Sequence, residues 1–349
     1  MRLFVRVFLL CLSLFSLPSI AATANDLYQV REPVASQQPE ERDAALLRAL
    51  DTLVLRLTGN PEALKAPALE ALRKDPQQIV SQYGYEDDNL LVDFDPVSTE
   101  RTLRQAGLSL WGANRPAILV WWLNDGTGGS SLIGDDQSGA QTLSQAAQHR
   151  GLPLRLPIAD LSEQLLATPE TLEASDPAAL RTASERYAAD ALLVVQARED
   201  NGQWQAKWRL WLGDEREQGS VQGADQAALA DALFLAIGER LAPRFMVAPG
   251  ATASLTLEVQ GVDLARYAQL QRTLEPMGAQ LRQAQGDDRL VYQVNASAEQ
   301  LRAQLALLRL QEVTDRAAPI EAGQAPVEPA ATGSVPQVLP RNDVLRFRW

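Results

Sequence analysis

The run Arg115-Pro116-Ala117-Ile118-Leu119-Val120-Trp121-Trp122 constrains the fold more than any other stretch. After its opening Arg-Pro it is apolar throughout, so an extended segment here needs cover on both faces, as a central strand between helical layers has. Successive side chains of a strand point to opposite sides, which sends Trp121 and Trp122 into different layers. Residues 191–196 repeat the apolar pattern and predict a second buried strand. Residues 204–212 alternate instead. Trp204, Ala206, Trp208, Leu210 and Leu212 form a dry face, and the interleaved Gln205, Lys207, Arg209 and Trp211 form a wetter one. That phase makes Trp211 the candidate exposed aromatic. A strand near 217–222 and an Ala/Leu-rich helix over 225–241, stopped at Pro243, complete the unit. Gly126 to Gly139 reads as a surface loop, followed by a helix over 141–150, a strand around 152–158 and helical segments over 160–189.

On either side lie two units with a common order. Residues 27–30 predict a strand. Leucines at three-to-four spacing predict a helix over 39–57, which Gly59-Asn60-Pro61 ends before a second helix to about 74. Residues 79–85 and 90–94 bracket Asp87-Asp88-Asn89 as a hairpin, and a helix over 98–106 follows. After Pro249-Gly250 come strand 254–259, helix 264–275, strands 279–285 and 290–294, and helix 298–308. The expected fold class is α+β: a β-α-β-β-α unit, a central mixed sheet with helices, a second β-α-β-β-α unit and a flexible tail. The expected boundaries are 1–24 for a signal peptide, 25–112, 113–248 and 250–312 for three domains, 313–340 for a linker and 341–349 for a docking strand.

The first residues point to export. Arg2 and Arg6 precede an apolar run from Phe8 to Leu17, broken by Pro18, and Ala22-Thr23-Ala24 supplies small residues for cleavage. The run is too short for a membrane span, and Cys11 inside it lacks the preceding small residues of a lipid-attachment site. The expectation is a soluble periplasmic protein, without a transmembrane span once the signal is removed and without disulfides, since Cys11 is the single cysteine. With 32 basic and 44 acidic residues the chain carries a net charge of −12, which disfavours nucleic acid and anionic lipid surfaces as partners.

Few residues offer chemistry. His149, the one histidine, sits at a helix end where a cation complements the dipole. Serine-type triads and zinc sites require more, so no catalytic residue, metal or cofactor is expected. The glycines of 126–131 lack the Gly-Lys-Ser/Thr of a phosphate loop and stand beside Asp125, Asp135 and Asp136. Glu86, Asp87, Asp88, Asp93 and Asp95 cluster at a turn without the spacing of a calcium loop. The tail draws more interest. Leu345, Phe347 and Trp349 alternate, as in a strand that adds to a sheet edge of this chain or of a partner. With Trp211 they form the candidate partner-binding set.

The pattern of Leu57-Thr58-Gly59, Tyr83-Gly84-Tyr85, Phe94-Asp95, Trp111, Asn114-Arg115-Pro116, Leu119-Val120-Trp121 and Arg186-Tyr187-Ala188-Ala189-Asp190-Ala191 resembles an uncharacterised family of proteobacterial exported proteins, the domain of unknown function numbered 2066. The order of elements over 113–247 is similar to that of the TolB amino-terminal domain and of related domains in curli and flagellar assembly accessories. The resemblance implies periplasmic residence and no established activity. The sequence therefore leads to an expectation of a non-catalytic interaction or accessory protein in envelope assembly or maintenance, with an envelope protein as partner. Its rival is a binding protein or carboxylate-based hydrolase for an envelope glycan or lipid fragment.

Overall fold

A computed structural model describes residues 27–126, 129–174, 176–246, 253–285, 288–313 and 344–349. The expected signal peptide lies outside the described residues, as does the expected linker apart from Val313. The chain is α+β, and its described residues build three sheets.

The first unit comprises β1 (Gln29–Pro33), α1 (Pro39–Thr58), α2 (Leu69–Lys74), β2 (Val80–Glu86), β3 (Asn89–Phe94) and α3 (Pro96–Gln105). Its antiparallel sheet runs β1-β3-β2. Leu46, Leu50, Leu53, Val54 and Leu57 make the buried stripe of α1 and pack with Val30, Leu90, Val92 and Phe94 of the sheet. The acidic turn residues have structural duties: Asp87 takes a left-handed conformation (φ 51°), and Asp95 caps α3 by accepting from the Ser98 amide at 2.9 Å. An unpaired strand edge invites association. Along β1 and just before it that edge is covered by arginines from α1, Arg56 donating to the Leu27 and Gln29 carbonyls at 3.0 and 2.7 Å and Arg48 to Pro33 O at 2.7 Å.

The central unit contains β4 (Ile118–Gly126), β5 (Gly129–Ile133), α4 (Ala140–His149), β6 (Leu154–Arg155), α5 (Leu161–Leu166), α6 (Pro169–Glu173), α7 (Ala178–Ser184), β7 (Ala191–Asp200), β8 (Gln203–Leu212), β9 (Glu215–Gly223) and α8 (Gln226–Phe245). The sheet runs β5-β4-β7-β8-β9, with β6 also beside β4. Ile118, Val120 and Trp122 face a core built with α4 and α8, and Leu119, Trp121 and Leu123 face a second core under α5, α6 and α7. Both tryptophans are fully buried; Trp121 Nε1 donates to Ser184 Oγ and Trp122 Nε1 to Asn124 Oδ1.

Three expectations need correcting here. Trp211 is not exposed: it is 5 % accessible, because α7 reaches over that end of β8 and covers the face that the interleaved polar residues had marked as wet. The Gly/Ser stretch is not a loop throughout; residues 129–133 form a strand on β4, where Leu132 and Ile133 are buried. Pro243 does not stop α8. It lies in the last turn, and Arg244 and Phe245 still belong to the helix, with Phe245 stacked on Trp111 at 5.8 Å.

The third unit comprises β10 (Ala253–Gln260), α9 (Leu264–Leu274), β11 (Gln280–Gln285), β12 (Arg289–Ala296), α10 (Ala298–Leu307), β13 (Gln311–Glu312) and β14 (Val344–Arg348). Its order β11-β12-β10 repeats the first unit's β2-β3-β1, all antiparallel, so the two flanking units share a topology without a visible residue repeat. They differ at one edge. Where arginines cover β1, the strand β14 lies parallel to β10 from Thr256↔Val344 to Gln260↔Arg348, with the short β13 antiparallel on its far side. Leu345 and Phe347 are buried in the third core.

The three units meet at residues 111–115. The Trp111 amide donates to Leu57 O at 2.7 Å, Arg115 Nη2 donates to Arg56 O at 2.6 Å, and Asn114 bonds the third unit through its amide to Thr273 O and its carbonyl from Gln304 Nε2. Gly59, the left-handed C-cap of α1, presses on α8 so closely that a Cβ there would lie 2.3 Å from Ala242 Cβ.

Candidate functional site

Between the central sheet and the third unit opens a cleft of about 1050 Å³. Its apolar wall comes from strand ends (Leu119, Leu192, Trp211) and from Leu307, Leu308 and Trp349. Trp211 and Trp349, far apart in sequence, are thus brought to one place, whereas Leu345 and Phe347 turn away into the third core. Trp349 is fixed by its own bonds, Nε1 donating to Leu308 O at 3.1 Å and the amide to Gln260 O.

Four arginines line the same cleft, Arg181, Arg244, Arg266 and Arg309, against three acids, Glu185, Asp190 and Glu215. Several of these charges have structural engagements. Arg244 pairs with Glu215 and Glu217, and Asp190 accepts from the Ala117 amide at 2.7 Å. Arg181 donates to Gly213 O, and the Arg266 guanidinium stands 5.5 Å over the Trp349 ring. Arg309 is different. Its side chain has no hydrogen-bond partner among the described residues, its charge acts on the Asp190 carboxylate of the same wall, and its backbone is left-handed, φ 60°. It follows α10 where glycine is the usual residue. Ala188, also on the cleft wall, has φ 47°. Such a conformation costs a residue with a Cβ about 1–2 kcal/mol. Arginine and tryptophan around an apolar floor are the residue types that dominate binding at protein interfaces. Sequence reasoning missed the four arginines, since they come from separate segments; an arginine where a helix-ending glycine belongs was the one local signal.

A second polar cluster joins the first unit to the central one. His149, half-buried at the end of α4, lies 2.8 Å by Nδ1 from Asp231 Oδ1 and 3.4 Å by Nε2 from Glu32 Oε1. Arg150 also bonds Asp231, and Arg48 stands 3.8 Å from Glu32. Burial opposes a charge on His149, but its bonds to Asp231 and Glu32 outweigh it and hold the imidazolium above its ordinary pKa. Burial would likewise raise Asp231; the bonds from His149 and Arg150 overcome it and lower that carboxyl. Thr52 Oγ1 is 3.2 Å from Nε2, so hydroxyl, imidazole and carboxylate stand in the order of a nucleophilic triad. The hydroxyl, however, donates to Glu32 at 2.7 Å, and Thr52 is 7 % exposed in the middle of α1. The cluster is an inter-unit joint, and its histidine does more than complement a helix dipole.

The motif Arg186 to Ala191 also resolves into contacts. Arg186 binds Asp160 and the buried Glu163, at 2.8 and 2.5 Å, and Tyr187 donates to Glu163 at 2.6 Å. Among the described residues no group of three or more His, Cys, Asp or Glu is arranged to hold a metal, and no helix is long and apolar enough to cross a membrane.

Comparison with known proteins adds one family and two distant structures. The model of a domain of unknown function, DUF8605, matches residues 21–112, a stretch that contains the elements of the first unit. The LpoB C-terminal domain from Salmonella enterica aligns with 30 % of this chain and 82 % of its own, at 17 % identity and a TM-score of 0.20. Lipoprotein GNA1162 from Neisseria meningitidis aligns with 36 % of this chain and 96 % of its own, at 16 % identity and a TM-score of 0.20. No curated protein matches. The particular likenesses to family 2066 and to the TolB domain are not among these findings and rest on the sequence pattern alone.

Proposed function

We propose that this is a non-catalytic interaction protein of the cell envelope, acting in assembly or maintenance, which engages its partner through the cleft between the central and third units. The observation that carries the reading is the meeting of Trp211, Trp349 and four arginines in one cleft of a chain whose net charge is −12. Its arginines suit acidic groups, and its apolar wall suits an aliphatic or aromatic side chain beside them. A second exposed feature agrees with a life of contacts: Ile158, Leu161 and Leu165 are 56, 72 and 72 % exposed, the two leucines one turn apart on α5. The periplasmic setting comes from the basic and apolar residues before Ala24.

A photo-crosslinking side chain at position 309, in cells, tests this. One defined envelope protein should be captured from 309 and lost when Arg266 and Trp349 are both changed to Ala; no adduct beyond that from an exposed control position such as Leu264 would sink it. The rival, a binder or hydrolase of an envelope glycan or lipid fragment, draws on Glu185, Asp190 and Glu215 in the same wall. It requires turnover of such a substrate that disappears in Asp190→Asn.

A further inference from the structure

The third sheet is closed by a strand from a remote part of the chain. β13 and β14 are antiparallel neighbours, with the Val313 amide donating to Arg346 O at 2.8 Å. Neighbours so placed need a connection of only about 2–5 residues. Here residues 313–343 lie between them, enough chain to span on the order of 100 Å if extended. The docking itself requires no such length.

The slot that β14 fills has the marks of a specific acceptor. The edge of β10 is paired over five registers, Thr256↔Val344 to Gln260↔Arg348. Leu345 and Phe347, 6 and 3 % exposed, enter the core at alternate positions, which fixes the face presented. The half-buried Glu258 carboxylate, 2.6 Å from Arg289, accepts from Arg346 at 3.1 Å and so marks the register with a charge. In the first unit the corresponding edge of β1 is sealed by side chains of α1, and among the described residues no strand is added there.

We propose that the edge of β10 is an exchangeable strand-acceptor site whose partner is a second copy of this chain, the C-terminal strand of one molecule replacing β14 of the other. The contacts are identical within one molecule and between two, so exchange turns on local concentration, with the tethered strand prevailing in dilute solution. A second copy fits because apolar residues two apart around an arginine are what the slot and Glu258 read. The inference does not depend on the cleft being the partner site.

Gln260 and Arg348 are register partners and both exposed, which provides a test on the full chain in a Cys11→Ser background. The double variant Gln260→Cys/Arg348→Cys should close a disulfide within one molecule, confirming the docking. Mixing the two single variants under mild oxidation should yield mixed disulfide dimers, the yield rising about tenfold for each tenfold in concentration while exchange is rare. Phe347→Ala in the acceptor chain weakens its resident strand and should raise the yield about tenfold or more, whereas the same change in the donor chain should abolish it. Closure of the double variant with no mixed dimer at millimolar protein, or an equal effect of Phe347→Ala in both chains, overturns the proposal.

Discussion

Replacing Arg56 by Met should loosen the first unit and its joint with the central one by about 3–4 kcal/mol, from the following terms. Its side chain, in a residue 3 % exposed, makes two short bonds, to Gln29 O at 2.7 Å and Leu27 O at 3.0 Å, and two longer ones to His149 O at 3.3 Å. A hydrogen bond from a charged donor contributes about 1.5–3 kcal/mol, and a carbonyl left buried without a donor costs about 1–3 kcal/mol. Methionine keeps the packing of the stem and removes the cost of burying the guanidinium, which returns part of the loss. Lysine keeps the charge but cannot fork to several carbonyls and should fall between the two. Urea unfolding followed by tryptophan fluorescence suits the question, since Trp111 lies at the joint; at about 2–4 °C per kcal/mol a thermal scan should show the same transition roughly 6–16 °C lower. If Arg56→Met unfolds within about 0.5 kcal/mol of wild type, or Arg56→Lys matches it, sealing of the β1 edge by that guanidinium is wrong.

Other outcomes follow from the same contacts. The folded pKa of His149 is raised, so its contribution is complete below the ordinary value of 6.5 and is lost as pH rises through the folded one. The urea midpoint should therefore fall from neutral to mildly alkaline pH by more in wild type than in His149→Gln; equal slopes would refute the joint's pH dependence. Gly59→Ala should cost about 2 kcal/mol or more, since the left-handed backbone and Ala242 both oppose a Cβ; a neutral effect on the melting curve would count against that approach of α1 to α8. Phe347→Ala should destabilise the third unit by about 3–5 kcal/mol, read as faster amide exchange along β10 and β12, while unchanged protection would mean that β14 is not seated.

Most of the scaffold was legible because its signals are local. The unbroken apolar run at 117–122 announces a strand covered on both faces, the leucine spacing of 46–57 announces α1, and Asp87-Asp88 announces the β2–β3 turn. Failures arose where distant chain decided the outcome. Trp211 shares its strand face with Lys207 and Arg209, a pattern that reads as wet, yet α7 covers its end of the strand while Lys207 stays exposed. Residues 129–133 look like loop by composition, and pairing with β4 makes them a strand. The cleft had no legible signature, for its wall is gathered from residues near 119, 181–192, 211–215, 244–245, 266–269, 303–309 and 349.

Residues 111–115 are the pivot of the molecule. Trp111 and Arg115 hold the first unit and Asn114, between them, holds the third, so a tilt of either outer body is transmitted to the same few backbone torsions. A body wedged between the third unit and the central sheet would load Asn114, whose chain neighbour Arg115 holds the first unit. Both outer units thus take a hold on the central one within a stretch shorter than two helical turns.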